Sequence, residues 1–299
     1  MSLNRRIFIS APRDVRLDPP RIAIKRAIVE EVRNAGYEPQ IFLTPEGGEG
    51  LAAGAGWSIV EVDRVARRCV GAVLIGLPFW RSTLDDRDVW LPSDYCAYEG
   101  AVARTLGLPV LAISVGIEAR GVFDDHAPVH TVSAPPQDDL SWLQSSRFRG
   151  PFARWARDVD DQRDVFLGYC SKSRETAERI QDQLREMGAS VLNWEVDFRA
   201  GRSILGEIDN ARARCSCGIF LFSEDDPLNG ENGGVAPRDN VVFEAGYFIG
   251  LKGKRNVLIV RETGSKMPAD LGGDIYAMLQ DRSDIGPIER VVSGFMSAL

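Results

Sequence analysis

Residues 164–194, DVFLGYCSKSRETAERIQDQLREMGASVLNW, contain the pattern that decides the fold. The apolar run at 164–168 indicates a buried strand. Residues 173–187 have the apolar spacing of a helix that ends at Gly188, and 189–194 indicate a second strand. A strand, a helix and another strand in this order are typical of a parallel sheet, because helices cover both of its faces. The fold class predicted from this stretch is α/β.

The same alternation continues to the end of the chain and is already present in its first half. In the second half it predicts further strands at 218–222 and 256–260, with helices at 203–214, 237–251 and 288–299. In the first half it predicts strands at 6–10, 37–43, 71–75 and 109–115, with helices at 19–35, 57–68 and 93–106. We therefore predict two flavodoxin-like domains, each a parallel sheet flanked by helices.

The two halves also share the spacing of their acidic residues. Asp94 follows Cys69 at almost the same distance as Asp239 follows Cys215, and each cysteine precedes the third predicted strand of its half. A glutamate then comes five residues after each aspartate, at Glu99 and at Glu244. Matched element order and matched spacing favour a duplication or two related domains. The alternative is a coincidence of two unrelated α/β units.

Three segments are expected along the chain: a first domain over 1–118, a linker over 119–162 and a second domain over 163–299. The linker shows no clear strand. Phe152, Trp155 and Val159 in it have helical spacing, which predicts a short amphipathic helix at 151–159 that packs across the end of one domain. The glycine-rich residues 47–56 are expected to form a loop.

Composition excludes several classes of protein. The 36 Lys and Arg against 43 Asp and Glu give a net charge of −7, which argues against DNA or RNA as the main partner. No stretch approaches the roughly 20 apolar residues that span a membrane, and the N-terminus lacks a secretory signal. Five cysteines are an odd, scattered set and indicate reduced thiols. These features favour a cytoplasmic protein.

The stretch 237–250, PRDNVVFEAGYFIG, contains the sharpest candidate for a functional side chain. Glu244 is the only ionised residue within 241–251, and a carboxylate buried among apolar neighbours costs several kcal/mol unless it is paired or lines a cleft. Such an acid is a candidate for function. The alternative is a structural ion pair with Arg238. Asp239 lies at the helix start, where capping is a more common role than catalysis.

A lone acid near the carboxyl ends of parallel strands suits one kind of chemistry. Cleavage of a glycosidic bond develops positive charge on the sugar, and a carboxylate stabilises that charge. Nicotinamide is cationic while attached to ribose and leaves as a neutral molecule, so no general acid is required. The two histidines, His126 and His130, lie in a proline-containing loop without a third ligand, so no metal site is expected.

These residues resemble bacterial TIR domains, specifically the NAD-hydrolysing TIR-like domains of anti-phage systems, including those fused to STING-like sensors. The resemblance covers about residues 163–299. The block PRDNVVFE at 237–244 is long and specific, whereas the other matching pieces are short: 165–169, 194–197 and 267–271.

The resemblance implies roles for individual residues. Glu244 takes the place of the catalytic glutamate, and Asp270, in the Pro-x-Asp-Leu segment, that of a second acid needed for NAD cleavage. Tyr169 and Ser171 lie in the loop that contacts the nucleotide. We further expect three residues to contact the nucleotide: Trp194, Arg238 and Asp239. Of these, Arg238 is expected to contact a phosphate. Residues 197–203 match the loop through which such domains assemble.

The first half departs from this pattern. Glu99 again lies among apolar residues, but Ser93, Asp94 and Tyr95 replace the Arg-Asp-Asn tripeptide and no Pro-x-Asp-Leu segment follows. It resembles a diverged TIR-like or nucleoside-deoxyribosyltransferase-like domain. A sensing or assembly role is favoured over a second active site, and whether Glu99 is functional stays open.

The function expected from the resemblance is hydrolysis of NAD+ at the nicotinamide–ribose bond, with NAD+ as substrate and no cofactor. Activation by a signal such as a nucleotide second messenger, and assembly into a homo-oligomer, are also expected from it. The product is left open between ADP-ribose and a cyclic form. The alternatives are a non-enzymatic TIR scaffold or nucleotide-sensing protein, and a base-exchange or deoxyribosyl transferase.

Overall fold

The computed structural model of the protein describes residues 5–41, 57–135, 139–198, 201, 203–228, 234–271 and 276–298; for Ile204 and Asp270 it describes the backbone only. The expected glycine-rich loop at 47–56 lies outside the described residues. The chain divides into two compact units, Asn4–Gln162 and Arg163–Leu299.

The first unit is a five-stranded sheet with helices on both faces. Its strands are β1 Arg6–Ser10, β2 Glu38–Ile41, β3 Gly71–Gly76, β6 Val110–Val115 and β7 His130–Ala134, with a hairpin of β4 Trp80–Leu84 and β5 Arg87–Leu91. Its helices are α1 Pro19–Asn34, α2 Ile59–Ala66, α3 Asp94–Thr105 and α4 Ser146–Asp160. The sheet order is β2-β1-β3-β6-β7, and every pair is parallel. Helices α1 and α4 pack on one face, and α2 and α3 on the other.

The second unit repeats this arrangement. Its strands are β8 Arg163–Gly168, β9 Val191–Asn193, β10 Cys215–Phe222, β11 Asp226–Pro227, β12 Val235–Ala236, β13 Val257–Glu262 and β14 Tyr276–Leu279. Its helices are α5 Arg174–Glu186, α6 Trp194–Asp197, α7 Ile204–Arg214, α8 Asp239–Lys252 and α9 Gly286–Ala298. The parallel sheet has the order β9-β8-β10-β13-β14, the same relative order as in the first unit. Helices α5 and α9 cover one face, and α7 and α8 the other.

The prediction of two parallel α/β units flanked by helices is confirmed. In both units the strand order changes direction between the first and third strands, β1 and β3 or β8 and β10. Open α/β sheets bind ligands in the crevice at the carboxyl ends of the strands beside such a switch point. Each unit therefore has one edge at which a ligand site is expected.

The expectation of a linker over 119–162 is wrong. The described part of this segment supplies the edge strand β7 and the helix α4, which belong to the first unit. The predicted short helix exists, but it begins at Ser146 rather than residue 151 because Phe148 extends the apolar face of Phe152, Trp155 and Val159 by another turn. The strand was missed because it is short and only Val132 and Ala134 in it are buried.

A substitution of Trp155 tests whether α4 is part of the hydrophobic core of the first unit. The side chain is fully buried, its indole N–H donates to the Pro109 carbonyl oxygen at 3.2 Å, and its ring meets the Tyr37 ring edge-on at 5.6 Å. We expect Trp155→Phe to lower the free energy of unfolding by about 2 kcal/mol, because it leaves a void and removes the hydrogen bond. Denaturant titration measures this. Trp80→Phe, at a half-exposed position, should change it by less than about 0.5 kcal/mol.

Candidate active site

Glu244 lies on the buried face of α8. Val241, Ala245 and Phe248 on the same helix are buried, and their spacing places the Glu244 side chain with them, facing the sheet. Phe248 packs this face against β8 and β10, with ring centroids 5.0 Å from Phe166 and 5.3 Å from Phe220. Aromatic packing of this kind fixes the helix, and with it the carboxylate, against the sheet.

A glycine allows the carboxylate to reach the end of the first strand. Gly168 is the last residue of β8, and a Cβ atom there would lie 3.1 Å from the Glu244 Oε2 atom and 2.5 Å from the Phe220 ring. Any other residue at 168 would displace one of these neighbours. The absence of a side chain therefore brings Glu244 to the carboxyl end of β8, at the switch point of the sheet.

Glu244 has no salt partner within the described parts of the chain, and no hydrogen bond to its carboxylate is formed there. Burial alone raises its pKa from the ordinary 4.5 to about 7. The alternative of an ion pair with Arg238 is wrong, since the Arg238 guanidinium contacts the Asp226 carboxylate at 3.3 Å. A carboxyl group that titrates near neutral pH beside a ligand-binding edge is suited to catalysis.

The loop after β10 holds the start of α8 in place. Asp225 is buried, and its Oδ2 accepts hydrogen bonds from the Ser223 hydroxyl at 2.9 Å and the Arg238 backbone N–H at 3.1 Å. Lys172 donates to the Asp225 carbonyl oxygen at 2.8 Å, which ties this loop to the loop that follows β8. These contacts position the start of α8, and therefore Glu244, from the loops that follow β8 and β10.

Arg238 and Asp239 both lie at the N-terminus of α8. The Arg238 side chain is two-fifths exposed, and its pKa is raised by a hydrogen bond to the Cys170 side chain and by the charge of Asp226. Asp239 is exposed, and its Oδ1 accepts from the Asn240 backbone N–H at 2.8 Å. Asp239 thus accepts from the N–H of the next residue in the first turn, but the N-cap residue of α8 is Arg238, and no side-chain capping hydrogen bond is formed there.

The structure places the Tyr169 side chain in a different environment from Glu244, whereas Trp194 packs against the apolar clusters on both faces of the sheet. Tyr169 is buried on the α5 face of the sheet, and its hydroxyl donates to Asn193 Oδ1 at 2.9 Å. Burial raises its pKa to about 12. Trp194 donates its indole N–H to the Tyr169 carbonyl oxygen at 3.2 Å. The Tyr169 side chain therefore does not meet Glu244, which lies on the α8 face.

Ser171 lines a cavity of about 490 Å³ at the start of α5. The cavity also contains Lys172, Arg174 and Thr176, together with Asp281 and Arg282 beyond β14, so its wall is strongly polar. Glu244 is not among its lining residues. Among the predicted nucleotide-binding residues, the Tyr169 side chain and Ser171 lie on the α5 side, and Arg238 and Asp239 lie at the start of α8. Trp194 packs against both faces of the sheet, and the hydrogen bond from Arg238 to the Cys170 side chain brings the two sets together.

Two predicted features are only partly described. Asp270 lies in a short 3-10 turn, Ala269–Leu271, and its side chain is outside the described residues. In the expected assembly loop at 197–203, residues 199, 200 and 202 are likewise outside them.

Sequence reasoning gave no role to Gly168, Lys172 or Asp225. Gly168 could have been found, since a glycine that ends an otherwise apolar run at a switch point marks a close approach. Asp225 and Lys172 could not, because their contacts join loops that are distant in sequence.

Comparison with known proteins gives a match to the second unit. Residues 164–281 match the family described as CAP12/Pycsar effector protein, TIR domain. CD-NTase-associated protein 12 of Flavobacterium daejeonense is 31% identical over 110 residues, which are 36% of this chain and 35% of that protein. Pycsar effector protein BcPycTIR of Burkholderia cepacia is 33% identical over 79 residues, 25% of this chain and 26% of that protein.

Protein tirC of Dictyostelium discoideum is 29% identical over 127 residues, 39% of this chain and 63% of that protein. In contrast, the chain spans only about a third of the length of the two bacterial CD-NTase-associated proteins 12 that it matches at 31% and 30% identity. A solved structure of a response regulator/GGDEF domain protein covers 98% of this chain at 16% identity, with a TM-score of 0.27, which is too low to support a comparison.

The family match defines residues 164–281 as a TIR domain. This domain is similar to those of the CAP12 and Pycsar effector proteins of bacteria, which confirms the predicted resemblance over residues 164–281. The matched residues do not include the first unit, whose likeness to a TIR-like or deoxyribosyltransferase-like domain stays a prediction.

Proposed function

We propose that the second unit hydrolyses NAD+ to nicotinamide and ADP-ribose, and that the protein acts as an effector of anti-phage defence. The observation that carries the proposal is the Glu244 carboxylate, which is half-buried, has no salt partner among the described residues and lies next to Gly168 at the switch point. Relatives named as Pycsar effectors support the effector role.

Glu244 supplies what this reaction needs. As the bond between nicotinamide and ribose C1′ breaks, the electron pair leaves with the neutral nicotinamide and positive charge develops on the ribose. The ionised carboxylate stabilises this charge, and the surrounding apolar side chains strengthen the attraction. Water then adds to C1′, and a carboxylate whose pKa is about 7 is suited to accept its proton. No cofactor takes part in these steps.

The alternatives differ in what they require of Glu244. A non-enzymatic scaffold gains nothing from an ionised carboxylate held in an apolar environment at a cost in stability. A base-exchange or deoxyribosyl transferase would use the same acid on another substrate. Incubation of the protein with NAD+ under crowding, with measurement of free nicotinamide, tests hydrolysis; addition of a free pyridine base or of a deoxynucleoside tests transfer.

Arg238 is the residue we assign to a phosphate of NAD+. Its guanidinium is partly exposed and is held by the Asp226 carboxylate, which a phosphate oxygen can replace. We expect Arg238→Gln to raise KM for NAD+ by about tenfold and to change kcat by less than about threefold. Arg185→Gln, which removes an exposed arginine from α5, should leave both unchanged. A tenfold loss in kcat with unchanged KM would contradict the assignment.

Three parts of this proposal remain predictions: Asp270 as the second acid, self-association through 197–203, and control by a nucleotide signal.

Within the described ranges, no helix has the length and apolar character needed to cross a membrane. Product analysis by mass spectrometry distinguishes ADP-ribose from its cyclic form.

A further inference from the structure

The first unit has a large cavity at its own switch point. The cavity measures about 570 Å³ and opens where Ala11 and Pro12 follow β1. Phe79 and Trp80, which come after β3, and the first turns of α3 form its other walls. It therefore occupies the crevice in which open α/β sheets bind ligands. Its size is that of a small-molecule site.

Two arginines give the cavity an anion-binding side. Arg13 and Arg16 line it and are exposed, and within the described parts of the chain neither guanidinium has a carboxylate partner. The acid between them, Asp14, is already held by Lys25 at 2.7 Å and by Arg26 at 3.4 Å. Guanidinium groups without a carboxylate partner are suited to bind phosphate oxygens.

Aromatic side chains line the same cavity. The Trp57 ring lies 4.5 Å from the Tyr95 ring, and half of the Tyr95 side chain is exposed. Trp80 is also half-exposed and packs edge-on against Phe79 at 4.9 Å. Large exposed rings beside a cavity provide faces on which a nucleobase can stack.

A buried carboxylate completes the set. Glu99 is 5% exposed, lines the cavity and accepts a hydrogen bond from the Trp57 indole N–H at 2.9 Å. It is the sixth residue of α3, as Glu244 is the sixth residue of α8. Carboxylate oxygens accept hydrogen bonds from ribose hydroxyls.

We propose that the first unit binds a ribonucleotide in this cavity, with its phosphate on Arg13 and Arg16, its base on the aromatic rings of Trp57, Tyr95 or Trp80, and a ribose hydroxyl on Glu99. The site is separate from the one on α8 and does not depend on NAD+ hydrolysis there. Cyclic and linear ribonucleotides present these same three groups, so the experiment distinguishes between them.

The site is one of binding rather than of turnover. Glu99 is already engaged by Trp57, whereas the Glu244 carboxylate has no such donor within the described residues. Cys96, the one thiol among the lining residues, is buried, and burial raises its pKa to about 12, which leaves it without nucleophilic character near neutral pH.

Isothermal titration calorimetry of the full chain tests the proposal. The Glu244→Gln variant is used so that the second unit cannot consume the probes. The probes are the four ribonucleoside 5′-monophosphates, the four 3′,5′-cyclic monophosphates and the 2′-deoxy form of whichever binds. We expect at least one ribonucleotide to bind with a Kd below about 100 μM, and its 2′-deoxy form about tenfold more weakly.

The matched variants are two pairs of arginine substitutions that remove equal charge. Arg13→Gln with Arg16→Gln should weaken binding by at least about tenfold, because the phosphate loses charge-assisted hydrogen bonds. Arg33→Gln with Arg104→Gln, which changes two arginines outside the cavity lining, should leave the Kd within about twofold. All four residues are exposed, so both variants are expected to fold.

Three results would overturn the proposal: no probe binds at about 1 mM, the two arginine pairs weaken binding equally, or the pair at 13 and 16 has no effect. Equal affinity for the ribonucleotide and its 2′-deoxy form would show that Glu99 does not bind the ribose 2′-hydroxyl.

Discussion

Glu244→Gln should reduce the rate of nicotinamide release from NAD+ by at least about a hundredfold. The substitution keeps the size of the side chain and removes the negative charge that opposes the ribosyl cation. Loss of one preorganised electrostatic group in an apolar site costs a factor of this order. Discontinuous chromatography of free nicotinamide measures the rate. Glu289→Gln, the same change at an exposed position on α9, should retain the wild-type rate.

The free energy of unfolding at different pH values distinguishes a catalytic role of Glu244 from a structural one. Its pKa is 4.5 in an unfolded chain and about 7 in the folded protein, so its ionisation opposes folding increasingly as pH rises from 4.5 to above 7. Glu244→Gln should therefore be more stable than the wild type by roughly 3 kcal/mol near pH 8, and by little near pH 4.5. A variant that is less stable near pH 8 would indicate a structural partner for the carboxylate.

The rate of hydrolysis should depend on pH through the same group. Only ionised Glu244 stabilises the cation, and burial raises its pKa to about 7. We expect kcat/KM to fall by about tenfold for each pH unit below 7 and to level off above it. Bound NAD+ brings a positive charge beside the carboxylate, so the corresponding fall in kcat should occur at a lower pH.

Initial rates at several NAD+ concentrations between about pH 5 and 8.5 give both profiles. The residual activity of Glu244→Gln serves as the control, because without the carboxyl group its profile should show no fall near pH 7. A wild-type kcat/KM that stays constant from pH 7 down to pH 5 would exclude Glu244 as the titrating group.

The fold was predictable where the apolar pattern is strong. Central strands such as Gly71–Gly76 and Val110–Val115 are buried at every residue, so they stand out as continuous apolar runs. The edge strand His130–Ala134 and the hairpin Trp80–Leu91 were not predicted, because they are largely polar or exposed. The hairpin turn uses Asp85 and Asp86 with positive φ, a conformation more usual for glycine or asparagine.

The candidate site was predictable only in part, for a similar reason. A lone acid in an apolar helix can be recognised from sequence, and Glu244 is found facing the sheet among buried side chains. Which face of the sheet each loop residue occupies depends on register, and a change of one residue reverses it. Tyr169 follows Gly168 directly: the Tyr169 side chain is buried on the α5 face, whereas a Cβ atom at position 168 would point to Glu244 on the α8 face.

The most direct measurement follows NAD+ by proton NMR, with the wild type and Glu244→Gln compared at matched concentration under crowding. The account predicts that wild-type protein converts NAD+ into equal amounts of free nicotinamide and an ADP-ribose product, while the variant leaves the NAD+ signals unchanged over the same period. Equal conversion by both proteins would contradict the account. Intact NAD+ in the wild-type sample after prolonged incubation under crowding would contradict it as well.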